Sequence, residues 1–136
     1  MNIKTKVLTV GVFDFFHLGH LNALKNAKNA GDYLIVAVHD DKLNTKGVDF
    51  LYTLEERISF IKHLNFVDEV ISYERVDLLV EKINFDIFAH GPDQNHQYFK
   101  QAFEWCRKNN KKTYMTDRTE GISSTKLREI LKHKDI

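Results

Sequence analysis

Short, β-branched apolar runs alternate with segments of helical period along the whole chain, and nothing else in the sequence constrains its fold so tightly. Residues 6–12 (KVLTVGV), 33–38 (YLIVAV), 67–72, 87–90 and 113–115 read as five strands, the first two apolar enough to be buried on both faces. Leu21, Leu24, Ala27 and Lys28 recur at three- and four-residue spacing up to Gly31, which predicts a first helix with a glycine C-cap. Thr53 followed by Glu56 is a capping box, opening a second helix whose inner stripe is Ile58, Ile61 and Leu64. Further helical patterns cover 78–83 and 97–109, and Ser123 or Ser124 opens a last helix ending near Lys132. This alternation predicts one three-layer α/β/α domain over residues 1–136, built on a five-stranded parallel sheet with right-handed crossovers. Sheets of that kind take ligands beyond the carboxyl ends of their strands, where the winding reverses.

Composition narrows the class without naming it. A chain of 136 residues, 43% of them hydrophobic, supplies one core, and a single proline among six glycines argues against disorder. No apolar run approaches the roughly 20 residues that a bilayer requires. Lys4 and Lys6 precede a short apolar stretch, but Asp14 interrupts it, so a signal peptide is not expected. Cys106 is the only cysteine, which excludes an internal disulfide or a thiolate zinc cluster and fits a reducing cytoplasm. Twenty basic against nineteen acidic residues give a net charge of +1, so neither nucleic acid nor an anionic membrane is an expected partner.

The chemistry concentrates in two segments. Where the first strand gives way to the first helix the chain reads Gly11-Val12-Phe13-Asp14-Phe15-Phe16-His17-Leu18-Gly19-His20. Two imidazoles three residues apart straddle a helix start, whose unpaired N–H groups and dipole already favour an anion. Gly19 between them lets the backbone approach a ligand closely. Such a site suits a phosphate on which negative charge builds. Two other readings stand beside it: chance occurrence of a short pattern, and a zinc site, for which no third histidine or cysteine is evidently placed. The second segment, residues 118–128 (RTEGISSTKLR), joins the fifth strand to the last helix. Its Ser and Thr residues can cap the helix, its free N–H groups can bind phosphate oxygens, and Arg118 offers a planar two-pronged donor. The bland counterpart is a capped helix with solvated basic residues.

The first segment resembles the HxGH signature of the nucleotidylyltransferase superfamily, in the GxFDxxHxGH form of its cytidylyltransferase branch. The second resembles that branch's RTEGIS signature; the wider superfamily keeps only an ISSTxxR-like portion, which residues 122–128 also satisfy. The resemblance runs from Val7 to about Ile130 and implies a Rossmann-like nucleotidylyltransferase domain that moves CMP from CTP to a small phosphomonoester and releases pyrophosphate. It assigns His17 and His20 to the α- and β-phosphates, and Lys46 and Arg118 to the acceptor and the leaving pyrophosphate. A phosphate dianion is already a nucleophile, so positioning and charge neutralisation carry the catalysis. Gly11, Val12, Phe13, Asp14, Gly19, Asp41, Gly91, Asp93, Thr119, Gly121, Ile122, Ser123 and Ser124 would line the nucleotide. Mg²⁺, or another divalent cation, is implied through the phosphates, with Asp14 either binding it or orienting His17.

Arg57, Lys46 and Gln94 complete the set on the acceptor side. Arg57 matches a family arginine placed at the acceptor phosphate, a surface arginine being the alternative. Residues 66–70 (FVDEV) resemble a family element at a dimer interface, with Asn65 where relatives carry arginine, so a homodimer is implied. Relatives that use glycerol 3-phosphate have two acids and then a tryptophan after the glycine at position 91; here Pro92 replaces the first acid and Gln94 the tryptophan. An amide there could read a carboxamide, which leaves the acceptor between phosphoglutamine and glycerol 3-phosphate, in capsule or cell-envelope polysaccharide synthesis. Two alternatives remain. An adenylyltransferase making a flavin or coenzyme A precursor from ATP would share the histidine signature but not residues 118–121. A non-catalytic nucleotide-binding module would not need His17, His20, Lys46 and Arg118 together.

Overall fold

The computed structural model describes residues 4–40, 50–117 and 130. Within them run β1 (Lys6–Gly11), α1 (Leu18–Asn29), β2 (Tyr33–His39), α2 (Leu54–Lys62), β3 (Glu69–Tyr73), α3 (Val76–Lys82), β4 (Ile87–His90), α4 (Gln97–Lys108) and β5 (Lys112–Met115). Every strand pairing is parallel, and the order across the sheet is β3-β2-β1-β4-β5. The register runs from Lys6 opposite Tyr33 to Gly11 opposite Val38, and from Val7 opposite Ile87 to Thr9 opposite Ala89. The chain winds outward from β1 through β2 to β3, then crosses back to place β4 on the other side of β1. The winding therefore reverses between β1 and β4, and the crevice beyond their carboxyl ends is where a ligand fits.

Alternation along β1 feeds two apolar layers. Leu8 and Val10 face the side covered by α3 and α4, packing with Val76, Val80, Phe88, Phe99, Ala102 and Cys106. Val7 faces the opposite side with Leu24 and Ala27 of α1 and Ile61 of α2. Full burial of each such side chain contributes about 1.5–3 kcal/mol, which is why the Val/Ile/Leu-rich central strands hold the three layers together. Cys106 is buried, and burial pushes its thiol up to about 11, so it packs as an inert apolar group.

The capping box at Thr53 forms as its spacing predicts: Thr53 Oγ1 accepts from the Glu56 N–H at 3.2 Å, and Glu56 Oε1 accepts from the Thr53 N–H at 3.0 Å. The expected glycine cap on α1 is corrected, because the helix ends on Ala30 in ordinary right-handed geometry. Gly31 is needed for a different reason: a Cβ there would lie 2.7 Å from the Thr5 carbonyl oxygen and 2.7 Å from a Val7 methyl. The third strand begins two residues later than its apolar pattern suggests. The Val67 N–H bonds back to Leu64 in a turn, and pairing starts only after Asp68 has received the Leu34 N–H. The last helix expected from Ser123 or Ser124 lies outside the described residues, apart from Ile130, which is helical.

Candidate active site

The turn joining β1 to α1 is tight and strained. Phe13 (φ 59°) and Phe15 (φ 50°) both occupy the left-handed region, which bulky residues enter only when their surroundings compel it. The ring of Phe13 folds back into the core layer under α1 and lies over Gly11, where a Cβ would stand 2.8 Å from its Cζ. Gly11 is thus required by close packing, and the aromatic run around Asp14 is the element that aims the turn.

His17 is the N-cap of α1, with extended backbone (φ −143°, ψ 179°). Its Nδ1 accepts the Gly19 N–H at 3.0 Å, while the His17 N–H donates to His20 Nδ1 at 3.3 Å. Two histidines therefore do what Ser/Thr and Glu do in an ordinary capping box. The rings stack at 3.9 Å between centroids and 23° between planes, and His20 is backed by Phe16 (5.5 Å, stacked) and by the edge of Phe13 (5.6 Å).

That network assigns the tautomers. A ring nitrogen that accepts a backbone N–H carries no proton, so each neutral imidazole holds its hydrogen on Nε2. Both rings keep an Nε2–H donor at the start of α1, the end of a helix that favours an anion, while the His17 side chain caps the N–H groups of Gly19 and His20. Burial also lowers the His17 pKa below its ordinary value of 6.5, favouring the neutral ring. Zinc ligation through Nε2 would need the lone pair this arrangement removes, and among the described residues no group of three His, Cys, Asp or Glu side chains could hold a metal ion.

Asp14 is 2% exposed, and both its oxygens are engaged: Oδ2 accepts the Leu51 N–H at 2.8 Å and Oδ1 the Tyr52 N–H at 3.0 Å. The described residues thus offer no ready cage for Mg²⁺, and a cation here would depend on the oxygens of a bound phosphate chain. Arg57 is not a surface arginine. It is 0% exposed; its Nη1 donates to the carbonyls of Val12 (3.0 Å) and His39 (2.9 Å) and its Nε to that of Tyr52 (3.2 Å). Burial pulls its pKa down against the opposing pull of the Asp14 and Asp40 carboxylates.

On the other side of the crevice, Gln94 Nε2 donates to the Val10 carbonyl at 2.9 Å and its Oε1 accepts the Gly91 N–H at 3.0 Å. The amide assigned to the acceptor therefore spans the ends of β1 and β4. Space beside Gly91 is open, since the nearest atom to an added Cβ is Thr116 Oγ1 at 4.0 Å. Asp93 is exposed in the turn that follows. Thr116, buried and bonded through both N–H and Oγ1 to the His90 carbonyl (2.8 and 3.3 Å), brings the chain two residues before Arg118 to this same end of β4. The structure gathers Gly11, Val12, Phe13, Asp14, His17, Gly19, His20, Gly91 and Gln94 around the carboxyl ends of β1 and β4. Asp41, Lys46, Arg118, Thr119, Gly121, Ile122, Ser123 and Ser124 lie outside the described residues. Sequence reasoning passed over Phe16, Tyr52 and Thr116; only the aromatic run FDFFH hinted at the first.

A doubly covered parallel sheet whose switch point carries a helix start and two imidazole N–H donors defines a nucleotide-handling α/β domain of the HxGH kind. The chain belongs to the cytidylyltransferase-like family, whose model matches residues 8–130, and it is an enzyme of the nucleotidyltransferase class. It is 35% identical over 128 residues to the glycerol-3-phosphate cytidylyltransferase of Bacillus subtilis (strain 168), covering 91% of this chain and 95% of that protein. It is 41% identical over 115 residues to the FAD synthase of Thermococcus sibiricus, covering 78% and 75% respectively. Among solved structures, the lipopolysaccharide core biosynthesis protein of Thermoplasma volcanium GSS1 superposes with a TM-score of 0.74 at 28% identity, over 86% of this chain and 99% of that one.

Proposed function

We propose that the protein transfers CMP from CTP to a small phosphomonoester, giving a CDP-linked product and pyrophosphate. The observation that carries this reading is the imidazole pair at the start of α1, whose Nδ1 atoms are committed to the backbone and whose Nε2 atoms therefore carry the N–H donors. In the reaction an acceptor phosphate oxygen attacks the α-phosphorus while the bond to the pyrophosphate oxygen breaks. His17 and His20 donate to phosphate oxygens that gain charge, at the positive end of the α1 dipole. Donors that are already oriented need no reorganisation as the charge moves.

Lys46 and Arg118 are proposed to neutralise acceptor and pyrophosphate, as the family resemblance implies, with Mg²⁺ carried on the nucleotide. The acceptor is proposed to be glycerol 3-phosphate or phosphoglutamine, feeding envelope or capsule polysaccharide synthesis. The tie of Gln94 to Val10 and Gly91 gives it a wall-forming duty, whichever acceptor binds. The 41% identity to an FAD synthase favours one second reading, adenylyl transfer from ATP, against which the RTEGIS segment at 118–123 argues. A homodimer in the cytoplasm completes the proposal; no helix among the described residues is long and apolar enough to cross a membrane.

The test is pyrophosphate release from CTP or ATP across a panel of phosphomonoesters that includes both acceptors. CTP-dependent release with one acceptor strongly preferred is expected. Release from ATP alone would overturn the cytidylyl reading.

A further inference from the structure

We infer that Asp14 and Arg57 are a paired clasp that positions the imidazole turn, rather than ligands of cation and acceptor. Three segments distant in sequence meet at this pair. The turn after β1 contributes the Val12 carbonyl and the Asp14 carboxylate, the end of β2 contributes the His39 carbonyl, and the stretch before α2 contributes Leu51 and Tyr52. The two side chains grip Tyr52 in opposite senses: Asp14 accepts its N–H at 3.0 Å while Arg57 Nε donates to its carbonyl at 3.2 Å. Phe50 closes the clasp, with the Arg57 guanidinium 4.8 Å from its ring centroid.

Both partners are almost fully buried, and the two Asp14 oxygens and the Nε and Nη1 of Arg57 are already bonded to backbone groups. Their sites of action bracket the strained residues. Arg57 fixes the carbonyl of Val12, immediately before Phe13 at φ 59°, and Asp14 is immediately followed by Phe15 at φ 50°. Left-handed backbone at two phenylalanines persists only when the surroundings over-determine it, and these bonds supply that constraint. Release of the clasp would let the turn relax and misdirect His17 and His20.

This inference rests on the proposed role of the imidazole pair, and two measurements separate the two. Steady-state kinetics on Arg57→Lys and Asp14→Asn should show kcat reduced on the order of 10²-fold, as for a misplacement of about 1 Å, with KM for CTP and acceptor little changed. Heteronuclear NMR of the imidazole nitrogens should show both rings of the wild type protonated on Nε2, and loss of that fixed tautomer in either variant. The NMR signature needs no turnover, so it decides the positioning role even if the wild type transfers from ATP or shows no transfer. Should Arg57→Lys fail to fold, Asp14→Asn carries both measurements. A folded variant with wild-type kcat and unaltered imidazole signatures would overturn the inference. So would an increase confined to the KM for the phosphomonoester, which would return Arg57 to the acceptor.

Discussion

The carboxyl end of β1 is held from its two sides by opposite means. Toward β2 it is held by Arg57, a permanently charged group with no exposed surface that donates to three carbonyls. Toward β4 it is held by Gln94, a neutral, half-buried amide that spans two backbone groups. A buried charge is tolerated only with compensating partners, here Asp14 and Asp40 together with the carbonyls, so it cannot be exchanged piecemeal. An amide can be replaced at the cost of one or two ordinary hydrogen bonds. The β4 side also carries Pro92 and Gln94, the two positions where the sequence resemblance departs from the glycerol 3-phosphate pattern.

The largest effects should come from the turn between the two braces. His17→Ala or His20→Ala is expected to lower turnover on the order of 10²–10³-fold, as for loss of one donor to a developing oxyanion, with the fold retained by circular dichroism. Near-normal turnover in either variant would remove that residue from the reaction. Next comes the charged brace: Arg57→Met, which leaves three carbonyls and two carboxylates without their cation, should lose about 3–5 kcal/mol in urea denaturation. Gln94→Ala should lose only about 0.5–1.5 kcal/mol per hydrogen bond by the same measurement. Equal losses in the two variants would erase the contrast between the sides. Smallest is a proton effect. The folded His17 pKa lies below 6.5 while the unfolded value does not, so the unfolded chain binds more protons and stability rises with pH. This contribution is complete above pH 6.5 and fades as pH falls toward the depressed folded value. His17→Asn, which keeps a capping acceptor but does not titrate there, should flatten the dependence of Tm on pH below 6.5.

Periodicity made the layers legible. The runs at 33–38 and 87–90 and the box at Thr53 and Glu56 carry their structure in neighbouring residues, and the structure follows them within a residue or so. Failures occurred where a distant contact decides. Gly31 looks like a cap locally, yet its lack of a side chain answers to Thr5, across from the end of α1. Val67 continues an apolar run but is spent in a turn. The signature HxGH located the imidazoles, though not their tautomers, which depend on which ring nitrogen the backbone claims. Nothing local to Arg57 or Gln94 shows their bonds to Val12, 45 residues away, or Val10, 84 residues away, so the sequence suggests an acceptor role for each but not these backbone ties.

The direction in which the two rings spend their lone pairs has a stereochemical consequence. With both of their free lone pairs turned into the backbone, neither His17 nor His20 offers a nucleophile to the α-phosphorus in the proposed reaction, and neither can hold a nucleotidyl group between donor and acceptor. Transfer is then a single displacement, and a CTP made chiral at that phosphorus with sulfur or oxygen isotopes would emerge in the product with its configuration inverted.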